Sequence, residues 1–171
     1  MLIVLGGLPG TGKTTIARLL AQRLNAIHLR VDTIEQALRS SGMLKADVGP
    51  AGYIVAYRLA EDNLRLCRIV VADCVNPLAV TRDAWLSVGQ SLSTNIMEVE
   101  IICSDTTEHR RRVETRIVDI EGLQQPSWQD VVDRHYESWS RSPIRIDTAI
   151  GSAEQAVDDL VDLLAGRGSR G

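Results

Sequence analysis

The stretch Gly7-Leu8-Pro9-Gly10-Thr11-Gly12-Lys13-Thr14-Thr15 leaves this chain few folds to choose from. It fits the pattern G-x-x-x-x-G-K-[ST], and its flanks meet the pattern's structural requirement: Leu2-Ile3-Val4-Leu5 reads as a buried strand and Thr14 to Leu24 as a helix. Gly7, Pro9, Gly10, Thr11 and Gly12 make the loop. Its glycines let successive backbone N–H groups converge on phosphate oxygens without a Cβ in the way, and the helix that follows adds free N–H groups and the positive end of its dipole. Lys13 brings a charge to the β and γ phosphates, the Thr14 hydroxyl can ligate Mg²⁺, and Thr15 continues the cradle. The chemistry implied is the binding of a nucleoside triphosphate.

The rest of the chain bounds what that loop can belong to. A chain of 171 residues supports one domain with a sizeable core, expected over 1–165 with 166–171 as a flexible tail. A net charge of −3 argues against a nucleic-acid or anionic membrane surface. With no Phe, the core must be built from Leu, Ile, Val and Ala. Cys67, Cys74 and Cys103 show no C-x-x-C spacing and lie in or beside apolar runs, which reads as buried thiols. The apolar run at the N-terminus lacks a preceding basic region and stops at Gly6, so it reads as a first strand and not a signal peptide. No stretch approaches the ~20 apolar residues that span a bilayer. A cytoplasmic protein without a membrane partner, monomeric or homodimeric, is the expectation.

Strand and helix patterns then alternate. The first helix can bury Ile16, Leu19, Leu20 and Leu24. Ala26 to Val31 reads as a short strand with Asp32 just past its end, where open parallel sheets bind ligands. Thr33 to Ser40 is helical in pattern and Gly42 to Gly52 is a loop. Tyr53 to Arg65 is helical, with Ile54, Tyr57, Leu59, Leu64 and Leu66 available for a face. Cys67 to Ala72 contains the continuous apolar run of a strand covered on both sides and delivers Asp73 to its carboxyl end. A helix from Thr81, a strand over Asn95 to Cys103, a basic helix from Thr107 to about Val118 and a helix from Trp128 to about Ser138 follow. Ile144-Arg145-Ile146 is the last strand, and Ser152 caps a final helix, Ala153 to Leu164. This is a doubly wound parallel α/β domain.

Phosphoryl transfer needs a phosphate cradle, Mg²⁺, a group that orients the acceptor hydroxyl and a cation for the γ-phosphoryl. Asp32 is the best-placed acceptor-side carboxylate, with helix capping as its alternative role. Asp73 can hold Mg²⁺ or meet the acceptor; otherwise it starts the turn before Asn76-Pro77. Asn76 and Arg82 join these two as acceptor-side candidates, with Arg39, Tyr53 and Tyr57 as further possible lining. Arg112 and Arg116, four apart, would share one helical face and could close over a triphosphate; a solvated face paired with Glu108 and Glu114 is the alternative. His28, His109 and His135 lack metal-ligand spacing. Trp85, Trp128 and Trp139 read as packing anchors.

On these residues the chain resembles the P-loop kinase superfamily, in the group of small kinases often labelled AAA-family ATPases, with gluconate kinase, adenylylsulfate kinase, chloramphenicol phosphotransferase, zeta toxin and polynucleotide kinase. The resemblance spans nearly the whole length. It rests on Gly7 to Thr15, Asp32, Val70-Val71-Ala72-Asp73, Arg112-Val113-Glu114-Thr115-Arg116 and Ile146-Asp147-Thr148. It implies a three-layer fold with a five-stranded parallel sheet ordered 2-3-1-4-5, helices on both faces and a helical lid. It also implies ATP and Mg²⁺ as cofactors, Lys13 and the lid arginines Arg112 and Arg116 on the transferred phosphoryl, Asp32 activating a hydroxyl acceptor, and adenine near the loop after Ile146. Related kinases carry an Arg three residues after the strand-2 Asp, where this chain has Glu35. That favours a small-molecule acceptor over a phosphorylated or nucleic-acid one. A nucleic-acid 5′-hydroxyl kinase and a nucleotide-dependent regulatory switch remain as alternatives, although no N-K-x-D guanine motif appears.

Overall fold

A computed structural model describes residues 1–43 and 47–166. The parallel sheet has five strands in the order β2-β3-β1-β4-β5, as the family resemblance implies. They are β1 (Leu2–Gly6), β2 (Ile27–Arg30), β3 (Val70–Asp73), β4 (Ile96–Ile102) and β5 (Ile144–Asp147). The central strand β1 is buried along its whole length, which is why its sequence is unbroken apolar. The register pairs Leu5 of β1 with Asp73 of β3, and Arg30 of β2 with Asp73 in turn, so the carboxyl ends of three strands meet beside the Gly-rich loop.

Helices cover both faces. On one side α1 (Lys13–Leu24) and α7 (Ala153–Leu164) bring Ile16, Leu20, Val157 and Leu160 against Ile3, Leu5, Val71 and Ile101. On the other, α3 (Ala51–Arg65) and α4 (Ala79–Ser91) bring Ala56, Ala60, Leu64, Trp85 and Val88 against Leu2, Val4, Val70 and Ala72. Truncating a fully buried Leu such as Leu20 costs about 2–5 kcal/mol, so each face is a large contributor to stability. The remaining helices are α2 (Val31–Ser40), α5 (Thr106–Thr115) and α6 (Trp128–Val132).

Local signals set several helix starts. Asp105 accepts from the N–H groups of Thr107 and Glu108 to cap α5, Ser127 and Asp130 form a reciprocal capping box on α6, and Ser152 caps α7.

Four expectations change. The buried face of α3 is Gly52, Ala56, Ala60 and Leu64, whereas Ile54, Leu59 and Leu66 are exposed; small residues let the helix lie close on the sheet. The helix at Trp128 stops at Val132, because the carbonyls of Glu137 and Ser138 accept from Arg82 and the Glu137 N–H donates to Pro77 O. α5 ends at Thr115, leaving Arg116 extended with φ −59° and ψ 130°. Cys67 is exposed, while Cys74 and Cys103 are buried free thiols as expected. Part of the predicted 42–52 loop (44–46) and most of the predicted tail (167–171) lie outside the described residues. Among those described, no helix is long and apolar enough to cross a membrane.

Candidate functional site

The Gly-rich loop joins β1 to α1 with backbone angles that side chains would forbid. Gly7 has φ +138°, and a Cβ there would lie 2.1 Å from the Ile101 carbonyl oxygen. Gly12 is the N-cap of α1 at φ +92° with no side chain capping the helix, so the first N–H groups of α1 are left for a ligand. Lys13 is 7% exposed and its Nζ donates to Leu8 O at 2.8 Å, where the Thr11 hydroxyl also donates at 2.9 Å. Burial lowers the Lys13 pKa, opposed by the nearby charges of Asp73 and Asp32. An ammonium this poorly solvated has a strong electrostatic reason to exchange one carbonyl for phosphate oxygens. Pro9 is held from outside the loop. Its carbonyl lies 2.8 Å from His109 Nε2, which must therefore carry the proton, and the ring stands edge-on to Trp128.

Asp73, at the carboxyl end of β3, is 3% exposed. Burial by itself would raise its pKa, but His28 Nε2 at 3.3 Å, the charge of Lys13 and the Thr14 hydroxyl together hold the carboxyl below its usual range. A carboxylate oxygen beside a hydroxyl at the phosphate loop is a donor set for a hard cation. Thr14 and Asp73 therefore fit Mg²⁺, which characteristically takes one or two carboxylates and fills its shell with phosphate oxygens and water. Among the described residues no three His, Cys, Asp or Glu gather as a metal site.

Asp32 lies in the first turn of α2, whose cap is Arg30, so it is not a capping residue. Among the described residues no side chain or N–H donates to it, and it lines the same cavity as Lys13, Thr14 and Asp73. Glu35 and Arg39, one turn apart on α2, pair at 3.3 Å, and burial raises the Glu35 pKa. Tyr53 and Tyr57 line the far wall.

Two other candidates sit behind that wall. Arg82 is 2% exposed, and its guanidinium donates to the carbonyls of Asn76, Pro77, Glu137 and Ser138 while lying over the Tyr136 and Trp139 rings. Asn76, at φ 52°, is fully buried beneath Gly6 and Trp139. Neither lines the cavity. Arg82 clamps the β3–α4 turn by holding the Asn76 and Pro77 carbonyls, in place of the acceptor contact expected of it, and the Asn76 side chain is buried away from the cavity with no hydrogen-bond partner among the described residues.

The arginines of the α5 region separate. Arg112 donates through Nε to Glu108 and through both Nη atoms to Thr148, at 2.8 Å on its hydroxyl and 3.1 Å on its carbonyl. Thr148 in turn reaches the Thr11 carbonyl at 2.9 Å, tying α5, the loop after β5 and the phosphate loop together. Arg116 caps the end of α5, has no carboxylate partner among the described residues and bears electrostatically on Lys13. The shared helical face is therefore a correction: both arginines line the cavity, but Arg112 is anchored to Glu108 and Thr148, whereas Arg116 lies past the helix end without a carboxylate partner among the described residues. Beyond it the chain crosses the cavity mouth and is tied down by Asp119, whose carboxylate pairs with Arg18 of α1 and, at 2.8 Å, with Arg30. Arg30 Nε also lies 3.9 Å from Asp73.

His28, Arg30, His109 and Asp119 were not among the residues singled out for the site. A charged residue closing the β2 pattern was the one visible sign of Arg30; the others have partners far away in sequence.

These parts enclose a cavity of about 1350 Å³ that runs from Gly10 and Lys13 past Asp32 to Tyr57 and Val80. That exceeds the ~300–1,000 Å³ of a single-ligand pocket and leaves room for a nucleotide and a second molecule.

A family model described as an AAA domain matches residues 2–134. A curated relative from Pyrococcus abyssi, provisionally named an adenylate kinase, is 26% identical over 96% of this chain and 84% of its own. Among solved structures, the Mycobacterium tuberculosis APS kinase CysC in complex with AMPPNP and APS aligns with a TM-score of 0.70 at 21% identity, covering 96% of each chain. A gluconokinase from Sinorhizobium meliloti aligns with a TM-score of 0.61 at 18% identity, covering 98% of this chain and 97% of that one. At such identities the solved structures establish the shared fold.

Proposed function

The chain belongs to the AAA-domain family of P-loop kinases, and from that premise we propose that it transfers the γ-phosphoryl group of ATP to a hydroxyl of a small molecule. One observation carries the proposal. Asp32, a carboxylate with no protein partner among the described residues, lines the cavity that also holds Lys13, Thr14 and Arg116. A carboxylate without a protein partner that faces a phosphate loop has the placement of an acceptor-orienting base.

In this reading the phosphate chain lies on the N–H groups of the loop and of α1, and Lys13 leaves Leu8 O for the β and γ oxygens. Thr14 and Asp73 would hold Mg²⁺, which neutralises phosphate charge when bound. Asp32 accepts the proton as the acceptor oxygen bonds to the γ phosphorus, and the bond from that phosphorus to the β–γ bridging oxygen breaks to release ADP. Arg116 meets the charge that develops on the transferring group, an interaction worth most in the transition state. The segment past Arg116, tied by Asp119, keeps water from competing as acceptor.

The named solved relatives act on small molecules or bind nucleotides, as their descriptions state: gluconokinase, and APS kinase with AMPPNP and APS. The test is a screen of hydroxyl compounds and a 5′-hydroxyl oligonucleotide for stimulation of ADP release, with ³¹P NMR to identify a phosphomonoester. Stimulation lost in Asp32→Asn supports the reading. Equal stimulation in Asp32→Asn, or salt-sensitive labelling of the oligonucleotide alone, overturns it.

A further inference from the structure

The acceptor half of the cavity differs chemically from its phosphate half. Several of its polar groups are engaged with the backbone or in an ion pair. The Tyr57 hydroxyl donates to Thr81 O at 3.2 Å, the Tyr53 hydroxyl accepts the Asn76 N–H at 2.9 Å, and the Thr81 hydroxyl donates to Leu78 O at 2.8 Å. Glu35 and Arg39 neutralise each other at 3.3 Å. Burial pushes both tyrosine hydroxyls up in pKa, so they stay neutral. The tyrosines thus turn their oxygens to the backbone.

Carbon surface at the same mouth lacks a partner. Ile54 of α3 is 54% exposed, Val80 of α4 is 68% exposed and Ile117, one residue past Arg116, is 90% exposed. All three line the cavity, from three separate elements. Isolated exposed aliphatics are ordinary on a protein surface, but three that line one cavity offer it carbon surface that a ligand can cover.

We infer that the acceptor is an amphipathic alcohol: one reactive hydroxyl presented to Asp32 on a body that is mainly aliphatic or aromatic. A polyol or sugar acid would bring many hydroxyls to a wall where Tyr57, Thr81, Glu35 and Arg39 are already engaged, and each hydroxyl desolvated without a partner weakens binding. An apolar body instead covers Ile54, Val80, Ile117 and the tyrosine rings, removing carbon surface from water on both sides. The inference rests on the proposed phosphoryl transfer for its chemistry, but its binding half can be measured without turnover.

The experiment uses the full chain with Mg²⁺ and ATP or a non-hydrolysable analogue. Calorimetry and ADP release are followed with 3-phenyl-1-propanol and geraniol on one arm, and with ribitol, D-glucose and D-gluconate on the other. The expected result is binding and turnover with the apolar alcohols. Ile54→Asn and Val80→Asn, both at exposed positions, should each raise Kd and KM for those alcohols about tenfold while changing kcat by less than about twofold. If the apolar alcohols bind with this mutational pattern and no phosphomonoester forms, the binding half of the inference stands, an amphipathic alcohol as the cavity's ligand, and phosphoryl transfer falls. If the polyols are phosphorylated and the apolar alcohols neither bind nor react, the inference is overturned and transfer stands. Loss of kcat with unchanged Kd in the two variants also overturns it.

Discussion

Replacing Arg82 by Met should unfold the β3–α4 turn's support while leaving the phosphate loop's chemistry in place. The guanidinium makes four hydrogen bonds to backbone carbonyls, at 2.8 to 3.2 Å, and lies 4.3 Å from the Trp139 ring centre and 5.0 Å from that of Tyr136. Hydrogen bonds to a charged group contribute about 1.5–3 kcal/mol each. A simple sum is too large, because the wild type also bears the cost of holding a cation out of water. Removing the guanidinium leaves buried carbonyls without a donor at about 1–3 kcal/mol each, so with the cation's own desolvation relieved a net loss of about 3–5 kcal/mol is expected. In a domain of this size each kcal/mol lowers Tm by about 2–4 °C, so a fall of roughly 10 °C is expected. Met preserves most of the stem volume, so the loss reports the guanidinium. Arg82→Lys should recover little, since one ammonium cannot span carbonyls on two chain segments in the Arg fork geometry. Urea titration followed by far-UV circular dichroism measures the loss, and calorimetry with ATP checks nucleotide affinity in the folded fraction. A stability change below about 1 kcal/mol, together with a raised KM for acceptor, would mean that Arg82 touches substrate and that the clamp assignment is wrong.

Other expectations concern the site itself. Lys13→Ala should abolish turnover and sharply weaken ATP binding in calorimetry, because the β and γ oxygens lose their closest protein charge; unchanged affinity would contradict the loop's role. Asp32→Asn should lower kcat by roughly two orders of magnitude with ATP affinity retained, measured by steady-state kinetics, and wild-type rates would remove it from the chemistry. Arg116→Ala should cut kcat more than it raises KM for ATP, whereas Arg112→Ala should first loosen the Thr148 contact and lower Tm; the reverse pattern in kinetics and melting would exchange their roles. For Asp119, the hydrogen bond from Arg30, then that from Arg18, hold its carboxyl well below the usual carboxylate range. Its contribution is therefore complete above its unfolded pKa of about 3.9 and is lost as pH falls below that value. Denaturation across pH 2 to 6 should show a smaller acid-induced loss of stability in Asp119→Asn than in the wild type, and identical profiles would show that the tie carries no free energy.

Chain order and local chemistry by themselves determined the phosphate loop, the alternation of strands and helices, and the caps at Asp105, Ser127 and Ser152. Each depends on residues within a few positions of one another: a glycine that must take positive φ, a side-chain oxygen reaching an N–H two or three residues on, an apolar period of two or 3.6. The strand order was legible through the family resemblance, since periodicity does not say which strands are neighbours. What tertiary structure decided were the partners. Asp119 meets Arg18 across 101 residues and Arg30 across 89, His109 meets Pro9 across 100, and Arg82 reaches Ser138 across 56. Those contacts end the helix at Val132 and turn Arg82 from an expected acceptor ligand into a scaffold residue, while Arg112 is bound to Thr148 and Arg116 is left to the cavity. A guanidinium in sequence shows only its charge. Whether it meets a carbonyl, a carboxylate or a ligand is set by which distant segment the sheet brings within 3 Å of it.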